Sequence, residues 1–212
     1  MSDQYSVARR TMVEQQLVSR GIACRRTLEA MREVPRHLFV PSQLAASAYE
    51  DRPLPIGHRA TISQPYIVAM MTAELQLQPG LKVLEVGSGS GYQAAILAHM
   101  GCQVFTIEIV PELAQGAQQI LQTLGFHQVN LRQGSGYLGW PEEAPFAAIV
   151  VTAAPPQLPT ALVDQLQEGG RMTVPVGNPG WVQSLRLVHK VAGAMQQLEL
   201  LPVSFVPMVY EA

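Results

Sequence analysis

The residues best suited to chemistry fall in two short stretches. In the first, Val83-Leu84-Glu85-Val86-Gly87-Ser88-Gly89-Ser90-Gly91-Tyr92, a β-branched run gives way to a glycine turn and then to helical spacing. Glycine tolerates positive φ and lets backbone approach a ligand closely. In an open α/β sheet, ligands sit beyond the carboxyl ends of the strands, where this turn would lie. A dinucleotide pyrophosphate site asks for G-x-G-x-x-G, and its last glycine is replaced here by Tyr92. That argues against a nicotinamide or flavin oxidoreductase. Glu108 ends the next strand-like run, 21 residues after Gly87. A carboxylate there can accept hydrogen bonds from both ribose hydroxyls of a nucleoside. An adenosine-bearing ligand without a diphosphate fits both features, and S-adenosylmethionine is such a ligand. The plain alternative is a glycine turn beside a solvated glutamate.

The second stretch is Ala60-Thr61-Ile62-Ser63-Gln64-Pro65. Ser63 or Thr61 can be read as a helix N-cap, with Pro65 in the first turn. Neither hydroxyl has a nucleophile motif around it, so a serine hydrolase is not expected. The five histidines are scattered, and C-x-x-C and H-E-x-x-H are both missing, so no metal site is expected. Cys24 and Cys102 stand far apart and are read as free thiols of a reducing cytosol.

These stretches need a scaffold, and the hydrophobic spacing supplies one. Residues 6–34 read as two helices divided at Gly21, and residues 35–60 as a proline-rich loop region with one short helix over 42–48. Helical spacing returns over 65–77. Strands are then expected at 82–86, 104–109, 129–132, 147–152 and 171–176. They alternate with helices at 91–100, 111–124 and 159–166. Such alternation indicates a parallel, doubly wound sheet. Two further segments, 182–190 and 196–206, read as antiparallel strands at the sheet edge. The organisation expected is an N-terminal helical and loop extension (1–60), an α/β core (61–180) and C-terminal strands (181–212), all in one compact domain.

The 212 residues suffice to bury a core without disulfide or metal. Charged residues are only 14%, with 21 glutamines in partial compensation, and the net charge is -2. No bulk electrostatic attraction to nucleic acid or anionic membrane follows. The N-terminus has no apolar signal-like run, and no apolar stretch is long enough to span a bilayer. A cytoplasmic monomer is the expectation.

Taken along the chain, the sequence resembles the protein-L-isoaspartate O-methyltransferase family. The resemblance is carried by Pro35-Arg36-His37-Leu38-Phe39-Val40, Leu54-Pro55-Ile56-Gly57, Thr61-Ile62-Ser63-Gln64-Pro65 and the glycine stretch through Ala95. Residues 149–156, 165–171, 175–177 and 205–208 extend it over nearly the whole chain. The T-I-S-Q-P element is the specific one; the glycine loop is common to many methyltransferases.

The resemblance implies a Rossmann-like class I methyltransferase fold and methyl transfer from S-adenosylmethionine, with S-adenosylhomocysteine as product. The acceptors implied are isoaspartyl-containing (and D-aspartyl) proteins and peptides, whose methyl esters are repaired through a succinimide. It places Ser63 at the acceptor carboxylate as the catalytic residue. It places Ala60, Thr61, Ile62, Ser63, Glu85, Gly87, Ser88, Gly89, Gly91, Glu108, Ser135 and Gly136 around the cofactor. Phe205, Val206, Pro207 and Val209 would help hold the peptide. Two departures stand out: Gly134-Ser135-Gly136 where the family reads G-D-G, and Phe146-Ala147-Ala148-Ile149 where it reads F-D-A-I. Gly57-His58-Arg59-Ala60 also differs from the family's glycine- and glutamine-rich version. The lost carboxylates motivate two alternatives: a degenerate member with little turnover, and a carboxyl methyltransferase for one dedicated aspartyl peptide.

Overall fold

The computed structural model describes residues 4–178 and 180–210. Helix α1 (Ser6–Thr11) continues into a π-helical stretch, Met12–Leu17, and a 3-10 turn, Val18–Arg20. Gly21, at φ 89°, ends it, and α2 (Arg25–Glu33) follows. This divides the N-terminal helices where the glycine predicts. Met12, Val13 and Leu17 are fully buried, and the extension shares a core with α3 (Pro65–Glu74).

The short helix expected over 42–48 is present as a 3-10 segment, but the rest of the region 35–60 departs from expectation. The region holds two 3-10 segments, Arg36–Phe39 and Ser42–Ser47, and then a hairpin, β1 (Leu54–Gly57) with β2 (Ala60–Ile62). The hairpin is illegible in the sequence because its strands are very short and one contains Pro55. Its tip, moreover, uses His58 and Arg59 at φ 49° and 58° instead of Asn-Gly. The N-cap reading of Thr61 and Ser63 is also overturned. Gln64 occupies the N-cap of α3 and no side chain caps that helix, while Pro65 takes the first turn as expected.

From there the chain alternates: β3 (Lys82–Val86), α4 (Tyr92–His99), β4 (Gln103–Glu108), α5 (Pro111–Thr123), β5 (Asn130–Gln133) and β6 (Phe146–Val151). Then come α6 (Thr160–Asp164), β7 (Leu166–Val176), β8 (Gln183–Val191) and β9 (Ala194–Val203). Helix α6 is shorter than its spacing suggests because β7 already begins at Leu166. The seven-stranded sheet has the order β5-β4-β3-β6-β7-β8-β9, parallel through β7 and antiparallel beyond it. This is the Rossmann-like class I architecture with antiparallel C-terminal strands.

Both sheet faces are covered. Val83, Ala148 and Val150 point into one apolar core, while Leu84, Val86, Ile149 and Val151 point into the other. That two-sided burial is why β3 and β6 read as continuous apolar runs. After β5 the chain crosses to the opposite side of β3, so the strand order reverses between β3 and β6. The carboxyl ends of the strands open into a crevice there. Among the described residues, no helix is long and apolar enough to cross a membrane.

Candidate active site

The turn after β3 folds tightly because glycine allows it. Gly87, Gly89 and Gly91 have φ of 97°, 52° and 84°. The amides of Gly87 and Ser88 donate to the Ile107 carbonyl at 2.8 and 3.1 Å, pulling the turn over the end of β4. A Cβ on Gly87 would lie 2.4 Å from Thr152 Oγ1, so only glycine fits. Thr152 Oγ1 itself donates to the carbonyls of Val86 and Gly87, clamping the turn from the β6 side.

Glu108 ends β4 and is nearly buried. Its Oε1 accepts from the amides of Ile109 (2.9 Å) and Val110 (3.0 Å), and its Oε2 accepts from the Gly89 amide (2.7 Å). An ionised carboxylate has about four acceptor sites. Three are therefore occupied, and Oε2 retains capacity for a ligand hydroxyl.

Glu85 is completely buried under the same turn. Thr106 Oγ1 donates to its Oε2 at 2.5 Å and lies 2.6 Å from Ser88 Oγ, so a chain of hydroxyls links Glu85 to the glycine turn. The other oxygen, Oε1, is buried with no hydrogen-bond partner among the described residues. Burial pushes the carboxyl up to about 8, and the nearby Glu108 charge adds to the shift.

These groups line one cavity of about 420 Å³, in the usual range for a small-molecule site. Of the residues assigned to the cofactor or the peptide, Ala60, Thr61, Ile62, Ser63, Glu85, Gly87, Ser88, Gly89, Glu108 and Gly136 line it. So do Val206, Pro207 and Val209. Three assigned residues lie outside the lining. Gly91 instead forms the N-cap of α4 at φ 84°, where an added Cβ would touch Ala117 and Leu121 at an ordinary 3.4 Å. Phe205 is held through its backbone by both side-chain atoms of Gln183. Ser135 has its Oγ enclosed without a hydrogen-bond partner among the described residues.

The cavity also takes in residues given no individual role above, notably His58, Arg59, Tyr92, Thr152 and Met208. The C-terminal segment reaches it as a strap. The Ala154 amide donates to Val206 O at 2.8 Å, the Met208 amide to Ala154 O at 2.9 Å, and Tyr137 OH to Met208 O at 3.2 Å. Gly136 permits this closeness, since a Cβ there would meet Val86 Cγ1 at 2.3 Å and Met208 Cε at 3.0 Å. Among the described residues, no group of three or more His, Cys, Asp or Glu could hold a metal ion.

Residues 8–212 match the family model for protein-L-isoaspartate(D-aspartate) O-methyltransferase. The chain belongs to this family. A protein-L-isoaspartate O-methyltransferase of Gloeobacter violaceus is 52% identical over 200 residues, covering 94% of this chain and 98% of that one. One of Syntrophobacter fumaroxidans is 55% identical over 205 residues, covering 97% and 95%. A solved Plasmodium falciparum structure described as a protein-L-isoaspartate O-methyltransferase, in complex with S-adenosyl-L-homocysteine, superposes with a TM-score of 0.83. It is 27% identical and covers 96% of this chain and 99% of that one.

The residues here fit the cofactor of a protein-L-isoaspartate O-methyltransferase on structural grounds. A glycine cradle leaves room for close backbone approach, Glu108 keeps an open acceptor, and the orphaned Glu85 oxygen suits a cationic or N–H-bearing group.

Proposed function

We propose that the protein transfers a methyl group from S-adenosylmethionine to the free carboxylate of L-isoaspartyl, and D-aspartyl, residues in damaged proteins and peptides. The observation that carries this reading is that Ser63 of the T-I-S-Q-P element, the glycine turn and Glu108 line a single cavity within a chain of this family. Relatives of the same name at about half identity favour turnover over a degenerate binder.

S-adenosylmethionine supplies, when bound, a methyl group activated by a sulfonium. Glu108 would hold the ribose, the glycine turn would meet the ligand through backbone, and Glu85 would face its charged end. The acceptor's α-carboxyl titrates near ~3.5, so it is ionised at neutral pH and needs no general base. Ser63 has no nucleophile motif around it in the sequence, in keeping with that; the one His–Glu contact at the cavity among the described residues, His58 Nδ1 to Glu112 Oε2 at 4.0 Å, is solvent-exposed. Ser63 Oγ would donate to one carboxylate oxygen and leave the other oriented for attack, so the protein's contribution is positioning. Ile62, Val206, Pro207 and Met208 would keep water out. The resulting ester on an isoaspartyl residue closes to a succinimide without help from the protein.

We also infer a cytoplasmic setting and a monomer acting without nucleic acid or membrane. Free Cys24 and Cys102 and the small net charge support this. The deciding experiment gives methyl-labelled S-adenosylmethionine with an isoaspartyl peptide and with the matching aspartyl peptide. Label should enter the isoaspartyl peptide alone and leave as methanol. Transfer to neither peptide defeats the proposal; preference for the aspartyl one would redirect it to a dedicated acceptor.

A further inference from the structure

Arg36 is a fully buried cation that makes no ion pair with a carboxylate among the described residues. Its Nε donates to Ala48 O and its Nη2 to Ser63 O, each at 2.7 Å. Its guanidinium lies 4.9 Å from the centre of the Tyr92 ring, whose hydroxyl also helps to hold the charge, and its Nη1 is buried with no acceptor in hydrogen-bonding geometry among the described residues. Burial pulls its pKa down to about 10, offset in part by Tyr92, Tyr49 and Asp51, and it stays charged at neutral pH. Burying a charge satisfied by carbonyls and a ring is costly.

The three partners indicate what the cost achieves. Ser63 is the acceptor-side residue of the proposed reaction. Its carbonyl takes no part in α3, whose first turn closes from Val68 N to Gln64 O. Tyr92 is the first residue of α4, directly after the glycine turn on the donor side. Ala48 ends the 3-10 segment that precedes the hairpin. One rigid planar fork therefore spans the segment that follows β2, the start of α4 beside the donor turn, and the segment behind both.

We propose that Arg36 is a positioning residue for methyl transfer, fixing the Ser63 backbone relative to the donor-side turn so that the Ser63 hydroxyl meets the acceptor in one geometry. This rests on the reading of Ser63 given above. It is distinguishable from a purely structural role, because Arg36 bonds neither Glu108 nor the glycine turn and reaches the donor side only through the Tyr92 ring. Gln64 Nε2 also anchors the same loop to Asp51 O at 3.0 Å, so the loop stays attached when Arg36 is replaced.

The test is a double-mutant cycle on the full chain using Arg36→Met, Ser63→Ala and the pair. S-adenosylhomocysteine affinity is measured by calorimetry, folding by cooperative melting, and kcat with an isoaspartyl peptide. For Arg36→Met we expect kcat to fall by up to about 100-fold, the scale of a misplacement near 1 Å. S-adenosylhomocysteine Kd should stay within about twofold. Adding Ser63→Ala should then cost little more, because both changes act through one hydroxyl. Arg36→Lys, which keeps one charged donor, should recover part of kcat.

Losses that multiply in the double mutant, or a Kd that weakens as much as kcat, overturn the proposal. If Arg36→Met does not fold, Arg36→Lys carries the same cycle; if neither folds, Arg36 is a fold residue and the proposal is wrong. An inactive wild type would instead defeat the function reading. A fully active Ser63→Ala would remove Ser63 from the reaction.

Discussion

Glu108 and Gly89 are joined by a 2.7 Å hydrogen bond from the Gly89 amide to Glu108 Oε2. The residue proposed to hold the ribose thus also holds the turn that must accommodate the rest of the ligand. Glu108→Ala removes both functions at once. Hydrogen bonds to a charged acceptor are worth about 1.5–3 kcal/mol. S-adenosylhomocysteine affinity should therefore fall by about 100-fold in calorimetry, with three backbone amides left to find water. Glu108→Gln keeps one acceptor oxygen and should lose less. Equal affinity in all three proteins would show that Glu108 serves the turn alone.

Ser63→Ala should leave folding and S-adenosylhomocysteine affinity intact while kcat drops about 10- to 100-fold, the value of one hydrogen bond to a charged group. The backbone of Ser63 keeps its bond from Arg36 in this variant, so any loss belongs to the hydroxyl. Undiminished methanol release from an isoaspartyl peptide would take Ser63 out of the reaction.

Much of this site can be read from the chain, for identifiable reasons. The β3 turn is legible because positive φ at Gly87, Gly89 and Gly91 demands glycine, and because β3 and β6 are buried on both faces. The role of Ser63 rests on the family motif, since its spacing alone suggests a cap that the structure gives to no side chain. Thr152 is invisible in advance: its hydroxyl matters only because β6 returns beside β3. Arg36 stands in a recognisable motif, but nothing in its neighbours announces that a cation will be buried against carbonyls 12 and 27 residues away. The hairpin of β1 and β2 is hidden because two non-glycine residues adopt positive φ at its tip. Backbone strain of that kind follows from the surroundings and leaves no local signature.

Ser135→Asp should tighten cofactor binding. Ser135 itself lies outside the cavity lining, but its neighbours Gly134 and Gly136 line it; its Oγ is buried with no partner among the described residues, in a turn anchored to β4 by the Gly134 amide on Glu108 O at 2.9 Å. An aspartate reaches one atom further and supplies a charged acceptor, which makes stronger hydrogen bonds than a hydroxyl. A gain of about 1–2 kcal/mol corresponds to roughly tenfold in Kd. Calorimetry with S-adenosylhomocysteine giving equal or weaker binding would show that this turn does not approach the ligand.

Glu85 makes the stability of the ligand-free protein depend on pH in a direction opposite to that of a salt-bridged acid. Its carboxyl is raised to about 8 in the folded protein, mainly by burial, from an ordinary value of 4.5. Between these values the folded state holds a proton that the unfolded state releases. Stability from this group therefore falls as pH rises from 4.5 to 8 and is level on either side. Glu85→Gln cannot titrate and should lose that part of the decline. The amide's own effect on stability is the same at every pH, because one end of the side chain has no partner among the described residues whatever the pH, so the informative quantity is the change with pH. Thermal melts at pH 5.5 and 8.5 should show the wild type losing about 5 °C or more relative to Glu85→Gln, given ~2–4 °C per kcal/mol for a chain of this size. Parallel curves for the two proteins would mean that Glu85 is already ionised in the fold, held by a partner other than Thr106.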